Sequence, residues 1–315
     1  MIWRPGPRHK RPKVSKTLHP RNLHNNGYDF TALVAAHPVL KKHVKPNKYG
    51  DESIDFADAA AVKALNSALL KHHYGIEAWN VPEGYLCPPI PGRVDYIHYA
   101  ADLLQSNGIV ASDSRPVRML DIGTGANGIY SLLAAQTYGW LCSGSEIDPV
   151  ALKNLSAILD NNLELKHKIE LRLQRDKRKI FDGVIRPGER FDLSVCNPPF
   201  HASQKGAMKS NQRKVNSLAF NRGEKAASKS KPSLNFGGQK NELWCEGGEQ
   251  GFLQTMINES SQFANQCRWF TTLVSKTENV APAKNLMRSV GARQVLEVEM
   301  EQGNKTTRIV AWSFI

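Results

Sequence analysis

The tetrapeptide Asn197-Pro198-Pro199-Phe200 contains residue types whose spacing suggests chemistry, and it directly follows a run of strand-forming residues. Two consecutive prolines fix two φ angles and remove two backbone donors. The side-chain carbonyl of Asn197 and the backbone carbonyl of Pro198 would therefore be rigidly held acceptors. Phe200 would offer a ring face against which a planar group can stack. Such a set suits an exocyclic amino group, although Asn-Pro also occurs in ordinary turns.

A second motif, Gly123-x-Gly125-x-x-Gly128, follows an apolar segment that ends at Asp121. By itself this spacing is a weak dinucleotide fingerprint. A dinucleotide site needs helix amides directed at a pyrophosphate, which a carboxylate at the mouth of the turn would repel. The same carboxylate suits a ligand that carries an ammonium group.

S-adenosylmethionine is such a ligand, because it carries a sulfonium, an ammonium and a ribose but no phosphate. Gly123 and Gly125 would let the backbone approach its methionine part closely. Glu146, at the end of the next strand, would accept hydrogen bonds from both ribose hydroxyls. Asp121 would orient the turn and the ammonium, whereas Asp148 is expected to cap a helix. The alternative is a tight strand–helix turn that binds nothing.

The elements that must position these motifs form an alternating pattern. From residue 117 onward short apolar strands alternate with amphipathic helices, which predicts an α/β domain with a mostly parallel sheet and right-handed crossovers. The segments 293–300 and 306–315 have no helix between them and predict a closing antiparallel hairpin. Both motifs follow strands, so both are expected at the carboxyl edge of the sheet, where open α/β folds bind ligands.

The chain divides into three predicted regions. Residues 1–28 read as a basic flexible arm, residues 29–112 as a helical region packed on the core, and residues 113–315 as the S-adenosylmethionine-dependent domain. That last domain includes a long basic substrate loop over residues 201–240. The helical prediction for residues 55–75 depends on an apolar stripe of Phe56, Val62, Leu65, Leu69 and Leu70.

The net charge of +13 is unevenly distributed. Residues 1–28 carry seven Lys/Arg and no Asp/Glu, and residues 201–240 carry nine Lys/Arg and only Glu224. The two segments sum to +7 and +8, or +15, so the remainder of the chain is near −2. Such segments are typical of arms that meet a polyanion, although solvated disordered runs have the same composition.

The composition also excludes some classes. No apolar run approaches the ~20 residues of a membrane-spanning helix, and the basic beginning of the chain lacks the apolar stretch of a secretory signal. Five scattered cysteines, with no CxxC pair, predict reduced thiols in a cytoplasmic protein without a metal site.

Several blocks of the sequence resemble the bacterial 23S ribosomal RNA adenine-N6 methyltransferases, the large-subunit methyltransferase F family, and a more distant likeness is to animal small nuclear RNA adenine methyltransferases. The resemblance covers about residues 18–315. The blocks are LHPRNLHNNGYDF (18–30), DFADAAAVKALNSALL (55–70), CPPIPGRVDYIHYAADLL (87–104), DIGTGANGIYSLL (121–133), CNPPFHAS (196–203) and NFGGQKNELWCEGGEQGF (235–252).

The resemblance implies a Rossmann-like class I methyltransferase fold with a seven-stranded sheet. It implies methyl transfer from S-adenosylmethionine to the N6 amine of a specific adenine in 23S ribosomal RNA, by a monomer without a metal. The RNA would be free or in a partly assembled subunit, because a paired adenine hides its amine.

The resemblance also implies roles for further residues. Arg93 would contact the carboxylate of S-adenosylmethionine, for which a guanidinium is a natural bidentate partner. The segment HPRN (19–22) would contact RNA. Trp244 and Glu246 could shape the pocket for the target base, but a buried tryptophan and an acid at a helix start are structural alternatives. The residues at the tetrapeptide, Asn197 to Phe200, would be the catalytic ones, and Asn197 would also contact the cofactor.

Three other functions remain as alternatives. The chain could be an RNA-binding ribosome-assembly factor on a degenerate methyltransferase scaffold, although intact Asp121, Gly123, Glu146 and Asn197 argue against that. A glutamine-directed protein methyltransferase would share the tetrapeptide but would not need two basic segments. A nicotinamide dehydrogenase is disfavoured by Asp121, which stands where a pyrophosphate would sit.

Overall fold

The computed structural model describes residues 17–47, 49–112, 114–201, 244–302 and 305–315. Within residues 301–306 only the backbone of the strand residues is described. The predicted basic loop, residues 201–240, lies outside the described residues except for His201, as does the arm up to residue 16.

The N-terminal region is mainly helical, as the sequence predicts. Its elements are α1 (Phe30–Ala36), a 3-10 helix (Pro38–His43), the hairpin strands β1 (Val44–Pro46) and β2 (Glu52–Ile54), α2 (Ala59–Tyr74) and α3 (Ile90–Ser106). Asp58 caps α2 by accepting from the Ala60 amide, and Gly75 ends it in the left-handed conformation. Phe56 therefore precedes the helix and is 42% exposed, so its predicted place on the apolar stripe is wrong.

The described part of the arm packs against α3, which corrects the prediction of a flexible segment for residues 17–28. The backbone amide of His19 donates to Asp95 Oδ1 over 3.0 Å, and its Nε2 lies 2.9 Å from Asp102 Oδ2. Asn22 also donates to Asp95. Composition and periodicity cannot reveal such anchoring, because it depends on side-chain bonds to a helix some 75 residues further along the chain.

The segment HPRN is thus mostly engaged within the protein. His19 and Asn22 are 5% and 4% exposed. Arg21 keeps 44% of its side chain exposed while it donates to Asp102 and to the carbonyl of His98. The predicted RNA contact by this segment therefore falls chiefly on Arg21, since His19 and Asn22 anchor the chain.

The remaining elements alternate between strand and helix. They are β3 (Arg118–Ile122), α4 (Ile129–Tyr138), β4 (Leu141–Glu146), α5 (Pro149–Asp160), α6 (Leu163–Lys166), β5 (Ile169–Leu173), β6 (Phe191–Cys196), α7 (Gly248–Ser260), a 3-10 turn (Ser261–Phe263), β7 (Cys267–Val274), α8 (Thr277–Ser289), β8 (Gln294–Gln302) and β9 (Lys305–Ser313). Asp148 caps α5 through the Val150 amide, as predicted.

The seven large strands form one sheet in the order β5-β4-β3-β6-β7-β9-β8. The pairs from β5 to β7 are parallel, whereas β9 is antiparallel to both β7 and β8. This arrangement confirms the predicted Rossmann-like fold with its closing hairpin. The strand order reverses between β3 and β6, which opens a crevice outside their carboxyl ends.

The helical N-terminal region shares a core with the sheet. One cluster of buried apolar side chains joins Leu69 of α2, Ile97 of α3 and Leu132 of α4, all at most 1% exposed, to the strands. A second cluster lies around Phe270 and Trp312, whose rings stack 5.6 Å apart. Because α3 packs on the sheet, its side chains can reach the ends of the central strands. Among the described residues, no helix is long and apolar enough to cross a bilayer.

Candidate active site at the carboxyl edge of the sheet

A cavity of about 720 Å³ lies at the carboxyl edge, where the strand order reverses. Among its lining residues are seven of the predicted site residues: Arg93, Gly123, Gly125, Glu146, Asn197, Pro198 and Pro199. Asp121 is fully buried behind the turn and does not line the cavity, and neither does the partly exposed Phe200.

The glycine turn leaves one wall of the cavity open to a ligand. Gly123 and Gly125 adopt left-handed φ values of 69° and 65°, which favour glycine. A Cβ placed at Gly123 would meet no atom within 4 Å, so this backbone faces free space. The turn therefore offers the close approach that the sequence predicts for the methionine part of a cofactor.

Glu146 is held in a fixed orientation by backbone amides. Its Oε2 accepts from Gly125 over 2.9 Å, and its Oε1 accepts from Ile147 and Asp148 over 2.8 and 3.1 Å. Burial raises the pKa of this carboxyl, although the three amides oppose the rise. A carboxylate has about four lone-pair sites, so at least one remains for a hydroxyl in the cavity.

Asp121 is buried behind the glycine turn and stabilises it through hydrogen bonds. Its Oδ2 accepts from Thr124 Oγ1 over 2.8 Å and from Ser131 Oγ over 2.9 Å, while Oδ1 has no hydrogen-bond partner among the residues that the structure describes. Burial raises the pKa of Asp121 to about 6, and the nearby Glu146 carboxylate adds to the rise. The geometry agrees with the predicted role in orienting the turn, and a role toward an ammonium stays a prediction.

Arg93 lies in the first turn of α3 and faces the cavity. Its Nη1 donates to the hydroxyl of Tyr130 over 2.6 Å, and the guanidinium carbon lies 5.5 Å from the centroid of that ring. Its buried Nε has no partner, and no ion pair to Arg93 occurs in the part of the chain that the structure describes. A cavity-facing guanidinium with spare donors fits an anionic group such as a carboxylate.

The tetrapeptide follows the strand next to the one that leads into the glycine turn, since the register of β3 and β6 pairs Ile122 with Cys196. Asn197 follows β6, a strand in which all six residues are buried, and its buried Oδ1 has no hydrogen-bond partner among the described residues. Pro198 is buried and Pro199 is partly exposed, and both line the cavity. The structure thus presents a buried acceptor beside the glycine turn, in the same cavity. Base stacking on Phe200 stays a prediction.

Trp244 and Glu246 also line the cavity. The buried Nε1 of Trp244 has no partner in the described ranges, and Trp244 forms a parallel bridge with His201. The Cys245 amide also donates to the His201 carbonyl over 3.1 Å. The two described ends of the basic segment therefore meet beside the cavity.

Sequence reasoning missed a basic stretch on the cavity wall. Lys177, Arg178 and Lys179 line the cavity with exposed side chains. The buried Glu259 of α7 fixes the residues that follow, since it accepts from the amides of Ile180, Phe181 and Asp182 over 2.6 to 2.9 Å. The run RDKRK (175–179) was a visible charge signal, but its place depends on this distant carboxylate.

Among the described residues there is no group of three or more His, Cys, Asp or Glu that could hold a metal ion. All five cysteines are free thiols.

The chain matches an RNA methyltransferase family over residues 12–315. Among curated proteins, it is 56% identical over 317 residues to the ribosomal RNA large subunit methyltransferase F of Shewanella loihica, covering 96% of this chain and 80% of that protein. It is also 56% identical over 312 residues to the protein of the same name from Saccharophagus degradans, covering 97% of each.

Two solved structures show the same fold. The catalytic domain of human METTL16 in complex with the MAT2A 3′UTR hairpin 6 is 30% identical, with a TM-score of 0.77 over 95% of this chain and 98% of that one. The N-terminal domain of human METTL16 in complex with SAH is 28% identical, with a TM-score of 0.74 over 95% and 99% of the two chains.

Proposed function

This chain belongs to the RNA methyltransferase family, and we propose that it transfers a methyl group from S-adenosylmethionine to the exocyclic N6 amine of one adenine in 23S ribosomal RNA. The names of its relatives support the large-subunit RNA as substrate. The observation that carries the chemistry is the buried Oδ1 of Asn197, which no described residue hydrogen-bonds and which shares one cavity with Gly123, Gly125 and Glu146.

The residues on the glycine side fit the cofactor. Open backbone at Gly123, the amide-held carboxylate of Glu146 and the spare donors of Arg93 match the methionine part, the ribose and the carboxylate respectively. S-adenosylmethionine, when bound, supplies an electrophilic methyl group on a sulfonium. The complex of the METTL16 domain with SAH, at 28% identity, supports this assignment.

The residues on the tetrapeptide side fit an adenine amine. The lone pair of that amine is delocalised into the ring, so it is a poor nucleophile. Asn197 Oδ1 and the carbonyl of Pro198 accept its two hydrogens, which draws the nitrogen toward tetrahedral geometry and directs its lone pair across the cavity. Since β6 and the prolines hold both acceptors in place, little ordering is left for the transition state.

No strong base is needed for this step. The amine becomes acidic as it gains the methyl group, so its proton can leave through the accepting carbonyls to water. The hydrogen bonds of Asn197 are then strongest when the nitrogen carries partial positive charge, which is the condition for transition-state stabilisation.

The RNA is expected to be held largely through its phosphates. Lys177, Arg178 and Lys179 on the cavity wall and the exposed part of Arg21 are positioned charges, and the basic segments over 1–28 and 201–240 add to them. The substrate would be free or partly assembled large-subunit RNA, because a paired adenine hides its amine. We also propose that the protein acts as a monomer and in the cytoplasm.

Mapping of the modified nucleotide tests this function. Ribosomal RNA from a strain that lacks the gene is incubated with the purified chain and methyl-labelled S-adenosylmethionine, and the label is located by nuclease digestion and mass spectrometry. One N6-methyladenine in 23S RNA is expected. Binding of the cofactor without transfer to RNA would indicate an assembly factor, and label in a ribosomal protein would indicate a glutamine-directed enzyme.

The variant Asn197→Ala tests the role of the acceptor. It should leave the Kd for S-adenosylmethionine nearly unchanged, since Gly123, Glu146 and Arg93 keep their contacts, and lower the single-turnover rate by about 10²-fold or more. Asn285→Ala, on the exposed face of α8, is the matched control. Normal turnover in Asn197→Ala would remove this residue from the mechanism.

A further inference from the structure

The hydroxyl of Tyr96 connects α3 to the end of β6, the strand from which the tetrapeptide emerges. Tyr96 is 0% exposed and does not line the cavity. Its hydroxyl lies 3.2 Å from the backbone nitrogen of Cys196 and 2.8 Å from Thr271 Oγ1 of β7. Thr271 Oγ1 in turn donates to the carbonyl of Ser194 over 2.7 Å.

Only one assignment of donors and acceptors satisfies all three hydrogen bonds of this network. A carbonyl can only accept, so the single hydroxyl hydrogen of Thr271 goes to Ser194. The Tyr96 hydroxyl must therefore donate to Thr271 and accept the amide hydrogen of Cys196. Burial raises the pKa of Tyr96 well above its ordinary range, so the hydroxyl keeps its hydrogen at every physiological pH.

The network begins where the backbone ladder ends. The register of β6 and β7 pairs Ser194 with Phe270 and continues no further, although β6 runs to Cys196 and β7 to Val274. Beyond that pair, side chains replace the ladder on the β7 side of β6. The Tyr96 hydroxyl accepts from the Cys196 amide, and the Thr271 hydroxyl donates to the Ser194 carbonyl. The last strand residue before Asn197 is thus fixed on that side by a tyrosine hydroxyl.

The same helix also serves the cofactor wall. Arg93 and Tyr96 are three residues apart, which puts them on one face of α3. Arg93 donates to the hydroxyl of Tyr130, and the Tyr130 ring lies edge-on to Tyr96 at 5.2 Å. One turn of α3 therefore contributes Arg93 to the proposed cofactor site and contacts, through Tyr96, the strand end that precedes Asn197.

From this geometry we infer that Tyr96 is a positioning residue for methyl transfer: its hydroxyl fixes the Cys196 amide and so holds Asn197 and Pro198 at the distance and angle that the amine requires. The inference rests on the proposed function. A displacement of an acceptor by about 1 Å can cost up to ~10²-fold in rate, so a residue that contacts neither substrate can control the step.

The variant Tyr96→Phe removes only the hydroxyl and keeps the ring and its packing. We expect the single-turnover rate on 23S RNA, at saturating cofactor, to fall by about ten-fold or more, while the Kd for S-adenosylmethionine changes less than about two-fold. Hydrogen exchange of the Cys196 amide should become faster, and this readout needs no RNA. The matched control is Tyr74→Phe, which removes another buried hydroxyl, one that bonds His24 Nε2 over 3.1 Å.

A merely structural role would lower the melting temperature of both tyrosine variants and leave the single-turnover rate of the folded Tyr96→Phe protein unchanged, which would overturn the inference. Unchanged exchange at Cys196, or a loss of cofactor affinity equal to the loss of rate, would also overturn it. If Tyr96→Phe does not fold, the same measurements on Thr271→Val test the network, because this variant removes the hydroxyl to which Tyr96 donates. Thr271→Ser keeps that hydroxyl and should retain the rate. A wild-type protein that methylates no RNA would defeat the proposed function and with it the role of Tyr96 in methyl transfer, while the exchange measurement would still decide whether the Tyr96 hydroxyl fixes the Cys196 amide.

Discussion

Three side chains that line the cavity carry buried polar atoms available to a ligand. Arg93 Nε, Asn197 Oδ1 and Trp244 Nε1 have no hydrogen-bond partner within the part of the chain that the structure describes. A buried polar group without a partner costs about 1–3 kcal/mol, which a bound cofactor or base can recover. These atoms, more than the shape of the cavity, indicate that both walls recognise polar groups.

At the residue level, Asp121 gives a pH dependence of known sign. Its pKa is raised to about 6, so the carboxyl is charged above that pH and neutral below it. The predicted role of Asp121 toward the ammonium of S-adenosylmethionine therefore implies that affinity is full near pH 8 and weakens as the pH falls through about 6. Burial raises the pKa of Glu146 as well, which adds to the effect in the same direction.

Calorimetric titration with S-adenosylmethionine from pH 5 to 8 measures this change, with Asp121→Asn as the variant that should bind more weakly at pH 8 and vary less with pH. Stability should vary in the opposite sense. Since folding raises the pKa, the carboxyl favours the folded state most when protonated, and its contribution to the free energy of unfolding decreases as the pH rises through about 6. An affinity that is flat across this range in the wild type would contradict the role assigned to Asp121.

Among the elements, the junction between the glycine turn and α4 has the tightest steric requirement. Gly128 caps α4 at φ 58°, and a Cβ there would lie 2.3 Å from Cδ1 of Leu155 on α5. Gly139 ends the same helix at φ 67°, but a Cβ there would meet nothing within 4 Å. Substitution of either glycine would strain the backbone, but only substitution of Gly128 would also create a side-chain clash.

We expect Gly128→Ala to destabilise the protein more than Gly139→Ala. Both variants incur about 1–2 kcal/mol for a left-handed alanine, and Gly128→Ala adds about 1–3 kcal/mol for the displaced Leu155. Urea denaturation measures the two free energies of unfolding. Equal losses would mean that α5 shifts freely, and the turn would then be less rigid than its packing indicates.

For the molecule as a whole, the excess positive charge is concentrated in two segments of the sequence. The sequence outside residues 1–28 and 201–240 is nearly neutral, and the described part of the arm is anchored to α3 through His19 and Asn22. The anchor fixes the position of the chain shortly after the basic segment 1–16. These residues carry six Lys/Arg and no Asp/Glu.

Replacing the six basic residues of segment 1–16 with Gln should weaken RNA binding and flatten its dependence on salt. Each phosphate contact that is lost lowers the slope of log K against log salt by about 0.7 to 0.9. Filter binding of a 23S RNA fragment between 50 and 200 mM salt, roughly the range over which such contacts are seen, measures the slope. The same substitution should leave the Kd for S-adenosylmethionine unaltered, and an unchanged slope would mean that the arm does not meet RNA.

The sequence by itself determined the sheet and the edge at which the site lies, because strand–helix alternation and chain-local motifs follow from neighbouring residues. The glycine turn, Glu146 and Asn197 could be placed at strand ends in this way, and the caps at Asp148 and Gly75 likewise. Only the tertiary structure decided what distant residues do. It anchored His19 on α3, set RDKRK beside the cavity through Glu259, and joined Tyr96 to the end of β6. These contacts join residues about 75 to 100 positions apart, and no local pattern encodes which buried donor will meet which acceptor.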